Sequence, residues 1–165
     1  MAAMIILLAA FASVILIRHF FFSQQLINYR LCGRIALAAM FLFTGVSHFL
    51  LDDDMVQMLP EFVPFRYSLI YVTGIVELFF AVGLLLPKYF RLTGIFAIVF
   101  LICVFPSNVY AALNSVNFGG HVNGPIYLLF RVPLQIFLIG WTWIMVVRQP
   151  TEVLVSTNSD RSQHH

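Results

Sequence analysis

The stretch YSLIYVTGIVELFFAVGLLL, residues 67–86, decides the fold. It lies between Arg66 and Pro87, and a helix of this length spans ~30 Å, the thickness of the hydrocarbon core of a bilayer. Its one charged residue is Glu77, near the middle. An unpaired carboxylate at that depth costs roughly 2.5 kcal/mol or more. Glu77 therefore needs a partner, a proton or water, and we expect it to belong to a functional site.

The composition extends this interpretation to the whole chain. Of 165 residues, 61% are hydrophobic and 10% are charged, whereas soluble domains carry about 25% charged residues. The sequence therefore predicts one polytopic membrane domain. The net charge of +2, without a basic patch among aromatic residues, argues against a nucleic-acid partner. Two cysteines without a C-x-x-C spacing give little support to dithiol redox chemistry or to a metal site.

Five apolar segments follow one another along the chain. We expect the first, 1–17, to be a retained transmembrane anchor, so that residues 1–30 form the anchor and its connector. A cleaved signal peptide is the alternative, because Ala10-Phe11-Ala12 resembles a cleavage site. The core domain, 31–147, holds the other segments, which are 31–51, 67–86, 90–113 and 125–147. The predicted fold is an all-α membrane protein, with a four-helix transmembrane bundle plus one extra N-terminal transmembrane helix.

The charges near the span ends predict the orientation. In a five-span arrangement, one side receives Arg18, Arg30, Arg34, Lys88, Arg91 and Arg148, and the other receives Asp52, Asp53, Asp54 and Glu61. Because positive segments stay in the cytoplasm, we expect the N-terminus outside and residues 148–165 as a disordered cytoplasmic tail. The expected location is the cell (inner) membrane. Aromatic residues near the span ends predict a lipid-facing belt; among them are Tyr67, Tyr71, Tyr127, Trp141 and Trp143.

Polar side chains within the predicted spans are concentrated in the outer half of the membrane. Counted at ~1.5 Å per residue from the outer end of each span, they lie about 5 to 15 Å deep. They are His48, Asn108, Arg131, Glu77 and Gln135. This distribution predicts a polar pocket that opens to the exoplasmic side. Arg131 is long enough to reach Glu77 and bind it with two hydrogen bonds, so we expect these two residues to pair.

Each of these polar residues also has a purely structural explanation. A Glu77–Arg131 pair can fix the register of two helices without any further role. His48, near a helix end, can serve as an interfacial anchor. Asn108 and Gln135 can hold helices together by hydrogen bonds. The sequence leaves these alternatives open.

Two further groups of residues receive structural interpretations. The three consecutive acids Asp52 to Asp54 are expected to be a solvated stop signal, with a weak exoplasmic cation site as the alternative. Cys32 and Cys103 lie on different spans at depths that differ by roughly 15 Å. A disulfide needs Cα atoms within about 7 Å, so we expect two buried thiols and no disulfide.

Four stretches of the core resemble the DoxX-like family of small membrane proteins. They are TGVSHF (44–49), YVTGIVELFFAVGLLLP (71–87), FPSNVYAAL (105–113) and LFRVPLQIFLIGWTW (129–143). The resemblance covers about residues 34–147 and implies a four-helix membrane bundle. The family takes its name from subunits linked to a thiosulfate:quinone oxidoreductase. The matching motifs imply that the polar positions of the family pattern are Glu77, Asn108, Arg131 and Gln135. The resemblance does not assign a catalytic role to any of them.

Two functional hypotheses follow. In the first, the chain is a quinone- or small-amphiphile-binding subunit of a membrane redox system, where donors in the pocket hold a quinone carbonyl and Glu77 relays a proton. No pair of histidines suited to haem lies in the core spans, so the expected electron carrier is a redox partner protein. No intrinsic cofactor is expected, and quinone is the candidate ligand of the pocket. The alternative is a non-enzymatic scaffold or assembly factor whose polar core is structural. Proton-coupled transport has too few spans in one protomer and would need a homo-oligomer in the bilayer.

Overall fold

The computed structural model describes residues 2–21, 28–114 and 121–148, and within these ranges the side chains of 4–17, 28–114 and 124–148. In the described ranges, helices account for 87% of the residues and no strand is present. The predicted all-α class is therefore confirmed. The predicted tail lies outside the described residues beyond residue 148, as do residues 22–27 of the connector.

Six α-helices form the framework of the described ranges. They are α1 (Ala2–Phe21), α2 (Tyr29–Leu50), α3 (Asp52–Val56), α4 (Arg66–Leu85), α5 (Phe90–Leu113) and α6 (Leu128–Thr142). Turns of 3-10 helix over His121–Tyr127 precede α6, and a π-helical turn over Trp143–Val147 continues it.

Four stretches of helix in the described ranges are long and apolar enough to cross a membrane. They are Tyr29–Leu50, Arg66–Leu85, Phe90–Leu113 and Gly124–Val147. Their ends agree with the four predicted core spans to within two residues. The apolar part of α1, Met4–Ile17, is shorter than these four, so a fifth span stays a prediction.

Local signals explain several helix ends. The side-chain oxygen of Asn28 accepts a hydrogen bond from the backbone N–H of Leu31 at 3.1 Å and so caps the start of α2. The helix α4 starts directly after Phe65, which has a left-handed φ of 54°. It ends before Pro87, because the residue that precedes a proline is pushed into extended backbone.

The helix α2 is central to the bundle. It packs against α1 and, most extensively, against α4. Its Leu37 and Phe41 are fully buried in the main apolar core, together with Leu7 of α1 and Leu84 of α4. The helix α5 contacts both α4 and α6. The contacts of α4 are therefore mainly with α2 and α5, and α6 lies diagonally across the bundle from α4.

Two glycines let α2 and α4 approach closely. A Cβ atom placed on Gly74 would lie 2.7 Å from the Cβ of His48 and 3.1 Å from the carbonyl oxygen of Gly45. The contact is reciprocal, since a Cβ atom on Gly45 would lie 3.1 Å from the carbonyl oxygen of Gly74. Small residues at such a crossing let two backbones meet. The segments T-G-x-x-H (44–48) and T-G-x-x-E (73–77) therefore face each other, and His48 is brought beside α4.

Two aromatic residues assigned to the lipid-facing belt are instead packed inside the protein. Tyr127 is only 6% exposed. The indole N–H of Trp141 donates to the carbonyl oxygen of Gly33 at 3.2 Å, and its ring packs edge-on against Phe11. The belt prediction is wrong for both residues, because a buried aromatic ring is stable where its polar atom finds a partner. Trp143, in contrast, is 52% exposed.

Candidate functional site

A histidine and a glutamate meet at the crossing of α2 and α4. The Nε2 atom of His48 lies 3.6 Å from Oε1 of Glu77, and the two side chains are 16% and 11% exposed. The second oxygen of the carboxyl group, Oε2, is buried and has no hydrogen-bond partner among the described residues. Histidine is a base that gains and loses a proton near neutral pH, so it can neutralise this acid or share a proton with it.

Thr73 completes a three-residue cluster with this pair. Its Oγ1 lies 3.3 Å from Nδ1 of His48, on the opposite side of the imidazole ring from Glu77. Thr73 and Glu77 are four residues apart in α4 and share a face of that helix. The imidazole is therefore held between a hydroxyl group and a carboxyl group of the same helix.

The predicted pairing of Glu77 with Arg131 is wrong. Within the described residues, the ion pair of Glu77 is with His48, and the side chain of Arg131 hydrogen-bonds to Tyr127, four residues earlier in the chain. The physical reason is the order of the helices. Glycine contacts bring α2 against α4, whereas α6 lies diagonally across from α4.

Gln135 and Asn108 direct their amide groups to the backbone of α5. The Nε2 atom of Gln135 donates to the carbonyl oxygen of Leu101 at 2.6 Å, in the turn that precedes Pro106. This carbonyl group adjoins that of Ile102, which lacks its helical donor because Pro106 has no backbone N–H. Asn108 donates to the carbonyl oxygen of Val104 within its own helix, at 3.1 Å. Gln135 thus joins α6 to α5, and Asn108 is satisfied locally.

The structure joins two of the five predicted site residues directly, His48 and Glu77. No hydrogen bond or ion pair in the described part of the chain links Asn108, Arg131 or Gln135 to this pair. A groove of about 240 Å³ lies elsewhere, between α1 and α6, and is apolar. Its lining residues are Met4, Leu129, Phe130, Pro133, Leu134 and Phe137. Among the described residues, the crossing of α2 and α4 is thus where two of the predicted site residues meet, and the exoplasmic pocket stays a prediction.

Two tyrosine–aspartate contacts at the outer end of α4 were missed by the sequence interpretation. The hydroxyl group of Tyr71 donates to Asp52, and that of Tyr67 donates to Asp53 at 2.9 Å. The bond from Tyr71 holds the pKa of the Asp52 carboxyl below its ordinary value. The available signal was the spacing of the two tyrosines, four residues apart on one face of α4 and close in sequence to three acids. Asp52 and Asp53 thus attach α3 to α4, and the stop-signal role of the three acids stays a prediction.

The described residues define the class: an all-helical protein with four helices long and apolar enough to cross a membrane, in which a histidine and a glutamate meet between two of these helices. The family model described as "Domain of unknown function (DUF8561)" matches residues 37–146, which is more than half of the chain. The chain belongs to this family. The matched range includes all five candidate residues and leaves α1 outside. No curated protein and no solved structure matches the chain.

Proposed function

We propose that the chain is a DoxX-like membrane subunit that binds a quinone or another small amphiphile beside the His48–Glu77 pair, as part of a membrane redox system. The observation that carries the proposal is the carboxyl group of Glu77, with an imidazole 3.6 Å from one oxygen and, among the described residues, no hydrogen-bond partner for the other, buried oxygen. Ionisable groups inside a membrane mark ligand sites and proton relays. A carboxyl group with a titratable neighbour can exchange a proton with a ligand that reaches its second oxygen.

The chemistry assigns a defined task to each group. Reduction of a quinone to a hydroquinone takes up two electrons and two protons, with one proton added at each oxygen. The His48–Glu77 pair supplies the proton for one quinone oxygen, and Oε2 of Glu77 accepts the hydrogen bond of the new hydroxyl group. A redox partner protein supplies the electrons, and water at the exoplasmic surface supplies the other proton.

The topology belongs to the same proposal. We place five spans in the cell (inner) membrane, with the N-terminus outside and the C-terminus in the cytoplasm. Positive charges at the start of α2 and between α4 and α5, opposite the acids of α3, support this orientation. The packing of α1 against α2, with Leu7 fully buried, supports α1 as a fifth transmembrane helix beside the four-helix core.

The experiment is a quinone-binding measurement on the full chain in mild detergent, with a short-chain ubiquinone analogue as the probe. Glu77→Gln is compared with Glu61→Gln, the same substitution at an exposed acid outside the spans. We expect wild type and Glu61→Gln to bind alike, and Glu77→Gln to bind at least about tenfold more weakly, as for loss of a hydrogen bond to a charged group. Equal binding by all three proteins, or by none, would contradict the proposal.

A scaffold or assembly factor is the second candidate function. The hydrogen bonds of Gln135 to Leu101 and of Asn108 to Val104 favour it, because these amides are engaged within the bundle. This alternative predicts that a specific protein partner copurifies without any quinone. It also predicts that Glu77→Gln still restores the function of a deletion strain once the bundle folds, whereas a quinone site predicts loss of that function.

A further inference from the structure

The hydroxyl group of Thr73 has several neighbours and one proton. Its Oγ1 lies 2.8 Å from the carbonyl oxygen of Ile70, 3.0 Å from that of Leu69 and 3.3 Å from Nδ1 of His48. A hydroxyl group donates one hydrogen bond and accepts others. In helices, threonine commonly donates to a carbonyl of the preceding turn, and here a carbonyl is also the nearest neighbour. The Oγ1 atom is then an acceptor toward His48, and Nδ1 must carry the proton of that contact.

A proton on Nδ1 determines whether Nε2 faces Glu77 with a lone pair or with a second proton. In neutral imidazole one nitrogen carries a proton and the other carries a lone pair, so Nε2 would face Oε1 as an acceptor. Two acceptors 3.6 Å apart in a buried place repel each other, unless a proton lies between them. That proton is on Nε2 in an imidazolium–carboxylate pair and on Oε1 in an imidazole–carboxylic acid pair. Both forms contain the same number of protons.

We propose that His48 and Glu77 form a one-proton binding site, with the proton on either Nε2 or Oε1, and that Thr73 is the positioning residue that keeps Nδ1 protonated. The proposal is independent of quinone binding, since it concerns only the ionic state of the three side chains. It adds a role for Thr73, whose hydroxyl group contacts the imidazole. It also explains why the carboxyl group can lie in the membrane with Oε2 unpartnered, because the site as a whole is neutral.

The test is nitrogen NMR of the histidine side chains in the full-length protein in detergent micelles. The chain has five histidines, and the signal that is lost in His48→Gln identifies His48. We expect a directly bonded proton on Nδ1 of His48 in the wild-type protein, whether or not Nε2 is also protonated. A neutral ring with its proton on Nε2 alone would overturn the proposal.

A matched pair of variants tests the role of Thr73. Thr73→Ser keeps the hydroxyl group, and Thr73→Val replaces it by a methyl group. We expect Thr73→Ser to keep the wild-type His48 signal and Thr73→Val to move the proton of neutral His48 to Nε2, where it donates to Glu77. The infrared band of the Glu77 carboxyl, assigned with Glu77→Gln, should change in Thr73→Val only. An unchanged tautomer in Thr73→Val would remove Thr73 from the site. Should Thr73→Val fail to fold, Thr73→Ala also removes the hydroxyl group and takes its place, and the wild-type spectrum still decides the proton position.

Discussion

Glu77, Gln135 and Asn108 differ in the groups that their polar side chains contact. Glu77 forms an ion pair with a side chain of a neighbouring helix. Gln135 donates to a backbone carbonyl of a neighbouring helix, and Asn108 donates to a backbone carbonyl of its own helix. Interactions between helices stabilise the tertiary structure, whereas a bond within one helix turn does so much less. The three residues should therefore respond differently to substitution.

The first prediction compares Gln135→Leu with Asn108→Leu. Loss of the Gln135 amide leaves the carbonyl oxygen of Leu101 without this donor in a buried place, and we expect a cost of about 1–3 kcal/mol in the free energy of unfolding. Asn108→Leu removes a bond made within α5 and should cost less than about 1 kcal/mol. Thermal unfolding in detergent measures both. An equal or larger loss for Asn108→Leu would contradict the different roles assigned here.

At the residue scale, the sequence predicts which side chains are special but not which of them pair. The depths counted along the spans select His48 and Glu77 among five candidates, and the structure brings these two together. The depths do not tell which helix faces α4, so the length of the Arg131 side chain favours the wrong partner. The deciding signal was the pair of segments T-G-x-x-H and T-G-x-x-E, whose glycines make the contact between α2 and α4.

At the scale of elements, the glycine crossing sets the geometry of the site. Gly74→Ala would place a Cβ atom 2.7 Å from the Cβ of His48, so α2 and α4 must move apart. Gly140→Ala is the matched control, because a Cβ there meets nothing within 4 Å. We expect Gly74→Ala to destabilise the protein by about 1–3 kcal/mol and Gly140→Ala to be neutral or slightly stabilising. Equal unfolding temperatures for the two variants would contradict the close crossing.

The contact of α3 with α4 should depend on pH. The hydroxyl group of Tyr71 stabilises the ionised form of Asp52 and lowers its pKa in the folded state. The stability from this bond is present above the ordinary pKa of an aspartate and is lost as the pH falls through the lowered, folded-state value. We expect amide protection in α3 to fall on acidification in the wild-type protein. In Tyr71→Phe, the amides of α3 should already be less protected at neutral pH, and their protection should change less on acidification. Identical profiles would show that this bond does not hold α3.

The ends of the long helices could be predicted because proline and charge limit them. Pro87 ends α4 and the acids from Asp52 end α2, and both signals are local in sequence. The short helix α3 and the π-helical turn after α6 were not predicted. Each is about one turn long and is held by contacts with other elements, Tyr67 and Tyr71 in the case of α3. Such contacts are not encoded in the periodicity of a short segment.

At the scale of the whole molecule, the proposed orientation has a direct test. Both cysteines are free thiols as predicted, although Cys103 is exposed and not buried. Single cysteines are introduced into a chain in which Cys32 and Cys103 are replaced by alanine. We expect a membrane-impermeant reagent added outside to label positions 53 and 117, and not positions 88 and 156. Labelling of Lys88→Cys from outside, in intact cells, would contradict the proposed orientation.

The number of core spans could be predicted from sequence because the bilayer imposes a length and an apolar composition on each span. The lateral order of the helices could not be predicted from sequence. Every apolar helix has the required length and composition, whichever neighbours it has in the bundle. Packing at Gly45 and Gly74 selects the neighbour of α4. The partner of Glu77 is therefore His48 on α2 and not Arg131 on α6.

The central claim is that Glu77 is coupled to His48 and not to Arg131, and a pair of double-mutant cycles tests it most directly. Free energies of unfolding are measured in detergent for His48→Gln, Glu77→Gln, Arg131→Gln and the two double variants that contain Glu77→Gln. We expect a coupling energy of about 1 kcal/mol or more between His48 and Glu77, because removal of one partner of a buried pair leaves the other uncompensated. Glu77 and Arg131 should be additive within about 0.5 kcal/mol. Additivity of His48 with Glu77, together with coupling of Glu77 to Arg131, would contradict the claim.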